Sequence, residues 1–184
     1  MVHWTISIFT TWITISLSGL VALVLQDNHP NQETMTIEYH PIGEFHSQLT
    51  PQTGAPRQGA LQPGIEATIE IYEDYTPALN DLRKYEYIIV LYHMHLSRDW
   101  HPDVRPSGSK RSLGLFATRS PNRPNPIGFG VIKLNRIEGN TLHVSGTDAF
   151  DGTPVLDIKP WIPSIDCPSG NTSPEIEDDL GLGN

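Results

Sequence analysis

Ile65-Glu66-Ala67-Thr68-Ile69-Glu70-Ile71 alternates apolar and polar side chains, the period of an extended chain with one face in a core and the other in water. The pattern recurs on the C-terminal side. Residues 86–96 form a longer apolar run rich in Ile, Val and Tyr and read as an internal strand. Residues 113–118, 129–137 and 141–146 continue the series, the last two joined by the hairpin-turn sequence Glu138-Gly139-Asn140. Gly, Pro, Asn and Asp separate these segments, which predicts a mainly β domain of sandwich or barrel type. One short helix interrupts it: Thr76 suits the cap, Pro77 the first turn, and Leu79 with Leu82 an apolar face before Tyr85.

A length of 184 residues fits one domain with an adequate core. Cys167 has no second cysteine to pair with and no ligand neighbours, and reads as an ordinary thiol. The formal charge of −9 argues against broad, sequence-independent binding of nucleic acid, which needs a basic surface. The charge is unevenly spread, however. Arg98, Arg105, Lys110, Arg111, Arg119 and Arg123 are six of the twelve basic residues, opposed in that stretch only by Asp99 and Asp103. Glu175, Glu177, Asp178 and Asp179 gather at the other end. The basic stretch reads either as a locally positive surface or as a solvated loop with scattered charge.

Residues 4–25 carry no charge and are long enough to cross a bilayer as a helix. Thr and Ser dilute the run, no Lys or Arg precedes it, and no small-residue cleavage site follows. Three readings stand: a mis-assigned start, with translation from Met35, where strand-like alternation begins; a membrane anchor; and a cleaved signal. The domain organisation expected is an apolar extension over 1–34, a β domain over 35–167, and an acidic disordered tail over 168–184.

Long polar loops over 97–112 and 119–126 are where chemistry is expected. In the stretch 119–128, Arg-Ser-Pro-Asn-Arg-Pro-Asn-Pro-Ile-Gly, three prolines fix a backbone from which two arginines and two asparagines project. Such groups suit a carboxylate, a phosphate or an exocyclic amine; the alternative is a stiffened surface loop. Asp148, Asp151 and Asp157 form a second cluster, apt for a cation or for ribose hydroxyls, or else for turn capping and an ion pair with Lys159. His93 and His95 lie two apart on the long strand, with His101 beyond a loop. The ligand set is too thin for zinc, and no metal is expected.

In order, Ile42-Gly43, Pro56-Arg57-Gln58, Val104-Arg105-Pro106, the run Gly-Leu-Phe-Ala-Thr-Arg-Ser-Pro over 114–121, Arg-Pro-Asn-Pro-Ile-Gly over 123–128 and Asp-Gly-Thr-Pro-Val-Leu-Asp-Ile-Lys-Pro over 151–160 closely resemble the TsaA/TrmO family. The resemblance covers about 36–166. It implies a single-sheet antiparallel β-barrel of the TsaA-like type, a homodimer, and an S-adenosylmethionine site on the barrel close to the partner subunit. No Gly-rich strand-to-helix fingerprint of a Rossmann site is present. Members characterised as enzymes methylate N6 of threonylcarbamoyl-adenosine beside the anticodon of threonine tRNA.

By position in the matching motifs, the resemblance assigns cofactor contacts to Pro56, Arg57, Gln58, His95, Arg119, Asp148 and Asp151. Leu96 stands where the family has a polar Gln, and Trp161 where it usually has Tyr; Phe129 and Trp161 are candidates to pack on adenine, or core residues. Asn125, or a neighbouring backbone carbonyl, is expected to orient the target amine, while Arg105, Lys110, Arg111 and Arg123 contact tRNA phosphates. The work of such a protein is cytoplasmic, with membrane anchoring through residues 4–25 as the alternative. The competing functions are a non-catalytic S-adenosylmethionine-binding module, a small-molecule methyltransferase, and a membrane-tethered accessory protein.

Overall fold

The computed structural model describes residues 36–170 together with Glu175 and Asp179. The readings of 1–34, and of most of the acidic tail, lie outside the described residues. The barrel falls within the compact unit Glu38–Asn184.

Six strands close on themselves. These are β1 (Gly43–Ser47), β2 (Glu66–Ile71), β3 (Tyr87–His93), β6 (Ile127–Glu138), β7 (Thr141–Ser145) and β8 (Pro154–Pro160), in the order β1-β2-β7-β6-β3-β8. Every pairing is antiparallel. Two further short strands, β4 (Asp103–Val104) and β5 (Leu113–Gly114), pair only with each other beside the barrel. A one-turn helix, α1 (Pro163–Asp166), follows β8.

The two-residue period fills the barrel. Ala67, Ile69 and Ile71 of β2 point inward, with Ile69 paired to Phe45 on one side and Leu142 on the other. Phe45, Ile69, Ile88, Val90, Leu142, Val144 and Val155 are completely buried. Each such side chain contributes about 1.5–3 kcal/mol relative to exposure. A register shift between Leu134 and Arg136 leaves Asn135 as an extra residue, the kind of bulge that bends a long strand so that a small sheet can close.

Four expectations change. Residues 36–40 are exposed and outside any strand; pairing begins at Gly43, where both β2 and β8 become available as partners. Residues 113–118 do not join the barrel. After Gly114 the chain closes a 3-10 turn, with the Thr118 amide donating to the Leu115 carbonyl at 3.0 Å. The helix expected near Thr76 is two 3-10 segments, Glu73–Leu79 and Leu82–Lys84. Thr76 lies inside the first rather than capping it, and Asp81 at φ 66° breaks the run, because a left-handed residue cannot continue a right-handed helix. Finally, β3 ends at His93, and the His95 amide folds back on the His93 carbonyl at 2.8 Å, so strand alternation does not extend to His95.

Candidate functional site

One end of the barrel holds a cavity of about 460 Å³. It is walled by residues 55–58 and 118–121, by Met94 to Ser97 beyond β3, by the start of β6, and by residues 148–150 with Thr153. These segments are far apart in sequence and meet because β3 lies between β6 and β8 in the sheet.

The floor is built around Tyr92. Its register on β3 follows Ile88 and Val90 into the interior, and its ring packs edge-on against Phe45 with centroids 5.7 Å apart. A tyrosine so placed needs a partner for its hydroxyl. It donates to Asp148 Oδ1 at 2.6 Å. Opposite Tyr92 stands Gly128, where a Cβ would overlap the tyrosine ring. Any side chain there displaces the ring.

Burial raises the Asp148 carboxyl above the ordinary aspartate value, against the opposing pull of the Tyr92 hydroxyl, of the backbone amides of Asp148 itself and of Gly59, and of the Arg119 charge. Tyr92 is pushed up too, by burial first and then by the neighbouring Asp148 charge, so it stays a donor at all ordinary pH. A low-dielectric carboxylate with three neutral donors and a nearby guanidinium is suited to a cationic or hydroxylic ligand.

Arg119 at the wall donates to Gln58 Oε1, joining the two arms of the cavity. Arg57 donates to the Ser107 carbonyl at 2.8 Å and so ties its arm to the 97–112 loop. His95 faces Thr153 Oγ1 through Nδ1 at 3.4 Å. Met94, Leu96, Ile127 and Phe129 supply apolar surface.

Of the residues read from the sequence, Pro56, Arg57, Gln58, His95, Arg119 and Asp148 line this one cavity, and Arg123 joins them. Asp151 does not. Its carboxylate accepts from the Ser47 amide at 3.1 Å and lines a separate depression of about 340 Å³ with His46, Arg136 and His143. Asp157 pairs with Lys159 at 2.5 Å, and Trp161 packs on Tyr87 at 5.8 Å; neither lines the cavity.

Asn125 is exposed on the loop between Arg123 and Ile127, its carbonyl accepting from the Ile127 amide at 2.8 Å. Arg105 donates to the Ser109 carbonyl at 3.1 Å, Lys110 is exposed, and Arg111 pairs with Asp179, Nε to Oδ2 at 2.8 Å. Arg123 spends one guanidinium nitrogen on two carbonyls, those of Leu115 at 3.3 Å and Thr118 at 3.0 Å. Sequence reasoning missed Tyr92 and Gly128. The available signal was a tyrosine at an inward strand position, whose hydroxyl obliges a buried partner.

Residues 44–167 match the family described as the tRNA-methyltransferase O N-terminal domain. The chain belongs to the TrmO family. It is 42% identical over 127 residues to an S-adenosyl-L-methionine-binding protein of Archaeoglobus fulgidus, covering 69% of this chain and 91% of that one. It is 34% identical over 157 residues to a tRNA (adenine(37)-N6)-methyltransferase of Rattus norvegicus, covering 80% of this chain but 36% of that enzyme. Among solved structures, TrmO from Pseudomonas aeruginosa superposes with a TM-score of 0.63 at 35% identity. That match covers 75% of this chain and 62% of the solved TrmO chain, so the present sequence spans less than two thirds of the solved relative. The closed antiparallel barrel is thus the TrmO fold.

Proposed function

We propose that this TrmO-family chain binds S-adenosylmethionine in the 460 Å³ cavity and methylates N6 of an adenosine in tRNA, with threonylcarbamoyl-adenosine beside the anticodon as the substrate. The observation that carries the reading is the convergence of Pro56, Arg57, Gln58, His95, Arg119 and Asp148 on one cavity, although they come from four separate stretches of sequence.

The residues present fit such a ligand. The cavity is of small-molecule size. Arg119 offers a planar fork for a carboxylate, Asp148 a buried anion for a cation or ribose hydroxyls, and Leu96 and Phe129 apolar surface for a purine. When bound, S-adenosylmethionine supplies a methyl group on a cationic sulfur. The chain's own part is alignment, since methyl transfer is an in-line displacement in which positioning supplies much of the rate. Asn125, at the rim between cavity-lining Arg123 and Ile127, or a carbonyl of the same loop, accepts a hydrogen bond from N6 and turns the nitrogen lone pair inward.

Arg105, Lys110, Arg111 and Arg123 stand on the loops beside the cavity as the phosphate-facing set. Ile127 and Phe129, 45% and 48% exposed, leave an apolar side that a second subunit would cover in a homodimer. The setting is the cytoplasm, where tRNA is found; among the described residues no helix is long and apolar enough to cross a membrane.

Mass spectrometry of tRNA nucleosides from a gene deletion and its complemented strain tests the reading. Loss and restoration of the methylated threonylcarbamoyl-adenosine is expected; its persistence in the deletion would overturn the substrate assignment. Asn125→Ala is expected to cut turnover far more than cofactor affinity, and equal losses would remove Asn125 from its role. A second reading, a binding module without catalysis, is favoured by the charge of −9. It predicts cofactor binding by calorimetry with no methyl transfer to tRNA.

A further inference from the structure

Phe116 is 80% exposed, the most exposed of the large apolar side chains among the described residues. Its exposure does not come from a loose loop. The 3-10 turn Leu115–Ala117 that carries it is anchored by Leu115, which is 3% exposed, and by the Leu115 amide donating to the Pro102 carbonyl at 2.9 Å. The Thr118 hydroxyl closes the turn on the Leu115 carbonyl at 2.8 Å, and Arg123 donates to the carbonyls of both Leu115 and Thr118. The arginine that braces the turn also backs the ring, its guanidinium carbon 5.5 Å from the ring centroid. One face of the phenyl is covered by a cation, while the other is open to water.

The geometry points to Phe116 as a stacking platform for an unpaired RNA base next to the adenosine that enters the cavity. This rests on the tRNA reading and adds a residue to it. A fixed aromatic ring with an arginine behind it is how proteins hold splayed-out single-stranded bases, because every base offers a π-face. The occupant is argued from charge: Arg98, Arg105, Lys110, Arg111, Arg119 and Arg123 flank Phe116 in the chain, against Asp99 and Asp103 alone. Thr118, Arg119 and Arg123, just beyond it in sequence, line the cavity, so a base on the ring lies beside the cavity mouth. Arg123 thereby acts by orienting the ring, and its phosphate contact is secondary.

The test uses the full chain and a short RNA stem-loop with unpaired adenosines, one replaced by fluorescent 2-aminopurine. Phe116→Leu keeps the apolar bulk and removes the π-face. Binding is expected to weaken about tenfold at every salt concentration, with an unchanged slope of log K against log salt, since stacking releases no counterions. Quenching of 2-aminopurine is lost, affinity for S-adenosylhomocysteine stays the same, and Phe116→Trp restores RNA binding. If the wild type binds no RNA stem-loop, the functional reading falls and this inference with it. If the wild type binds and Phe116→Leu binds equally well, only this inference falls. A loss accompanied by a drop in molar mass from dimer to monomer by light scattering would overturn it in favour of a second copy covering the ring.

Discussion

The floor of the cavity and its rim are built by opposite rules. On the floor, Tyr92, Gly128 and Asp148 are fixed by one another: a 2.6 Å hydrogen bond, a strand register with no room for a Cβ, and buried amides on the carboxylate. The rim is the loop stretch that leads into cavity-lining Thr118 and Arg119, where Arg105, Lys110, Arg111 and Phe116 stand in water outside the barrel sheet without lining the cavity themselves. The floor suits a small ligand of fixed shape. The rim suits a large polyanion met in many orientations, where charge steers and few groups need to be exact in position. The separation predicts that changes on the floor alter stability or cofactor affinity, and changes on the rim alter salt-dependent RNA affinity.

The largest effect is expected at Gly128. In Gly128→Ala the new methyl meets the Tyr92 ring rather than the far end of a flexible chain, and overpacking of this kind costs about 1–3 kcal/mol. Denaturant unfolding should show a lower midpoint at unchanged slope. A wild-type midpoint would mean that the floor is plastic and the contrast with the rim false.

Asp148→Asn comes next. Removing a charge-assisted interaction of about 1.5–3 kcal/mol should weaken S-adenosylmethionine binding by roughly ten- to a hundredfold. The pH dependence has a definite sign. Because burial raises the folded value above the ordinary 3.8, the carboxylate is neutralised, and cofactor affinity falls, at a higher pH than an exposed aspartate would require. The native state also holds this proton more tightly than the unfolded chain. The stability owed to this group is therefore fullest below 3.8 and is lost as pH rises through the raised value. The asparagine variant should lack both dependences in calorimetric titrations and melts across the acid range; an unaltered acid limb of binding would exclude Asp148.

On the rim, Arg105→Ala combined with Lys110→Ala should weaken RNA binding several-fold at low salt and flatten the salt slope by about 1 for each phosphate no longer neutralised. Cofactor affinity should not move. A change in cofactor affinity would show that the two regions are coupled. Smallest of all is Lys84→Ala. Its pair with Asp81 is exposed on both sides, at 69% and 73%, and its removal should change stability by less than about 0.5 kcal/mol in urea melts.

The sequence makes β2 and β7 legible because apolar and polar residues alternate along them, β3 because its continuous Ile-, Val- and Tyr-rich run marks an internal strand, and β6 because apolar residues recur up to the Glu138-Gly139-Asn140 turn. β1 and β8 are hidden for a physical reason: Ser47 puts a polar residue in phase with inward Phe45, a register shift moves the inward phase of β8 from Val155 to Ile158, and prolines bound β8 at Pro154 and Pro160. Much of the site was legible from resemblance rather than from period. Pro56, Gln58 and Arg119 sit in motifs that match a family, Asp148 lies just ahead of another, and the cavity they line could not be deduced from spacing. Tyr92 stayed invisible because a tyrosine in an apolar strand looks like any core residue, and its partner lies 56 positions away. Asp151 stands outside the cavity because a carboxylate at a turn serves a backbone amide, here that of Ser47.

The barrel closes between β1 and β8 with only two register pairs, Gly43 with Val155 and Glu44 with Pro154. The seam continues into the segment that precedes β8, along the cavity wall itself: the Phe45 amide donates to the Thr153 carbonyl and the Gly152 amide to the Phe45 carbonyl, both at 2.9 Å, and the Ser47 hydroxyl to the Ala149 carbonyl at 2.9 Å. The hydrogen bonds that close the fold are therefore attached to the wall of the 460 Å³ cavity. If the cavity takes its proposed ligand, filling it and closing the ring are thermodynamically linked, so occupancy should slow the escape of amide protons from β1, a strand that lines none of the cavity.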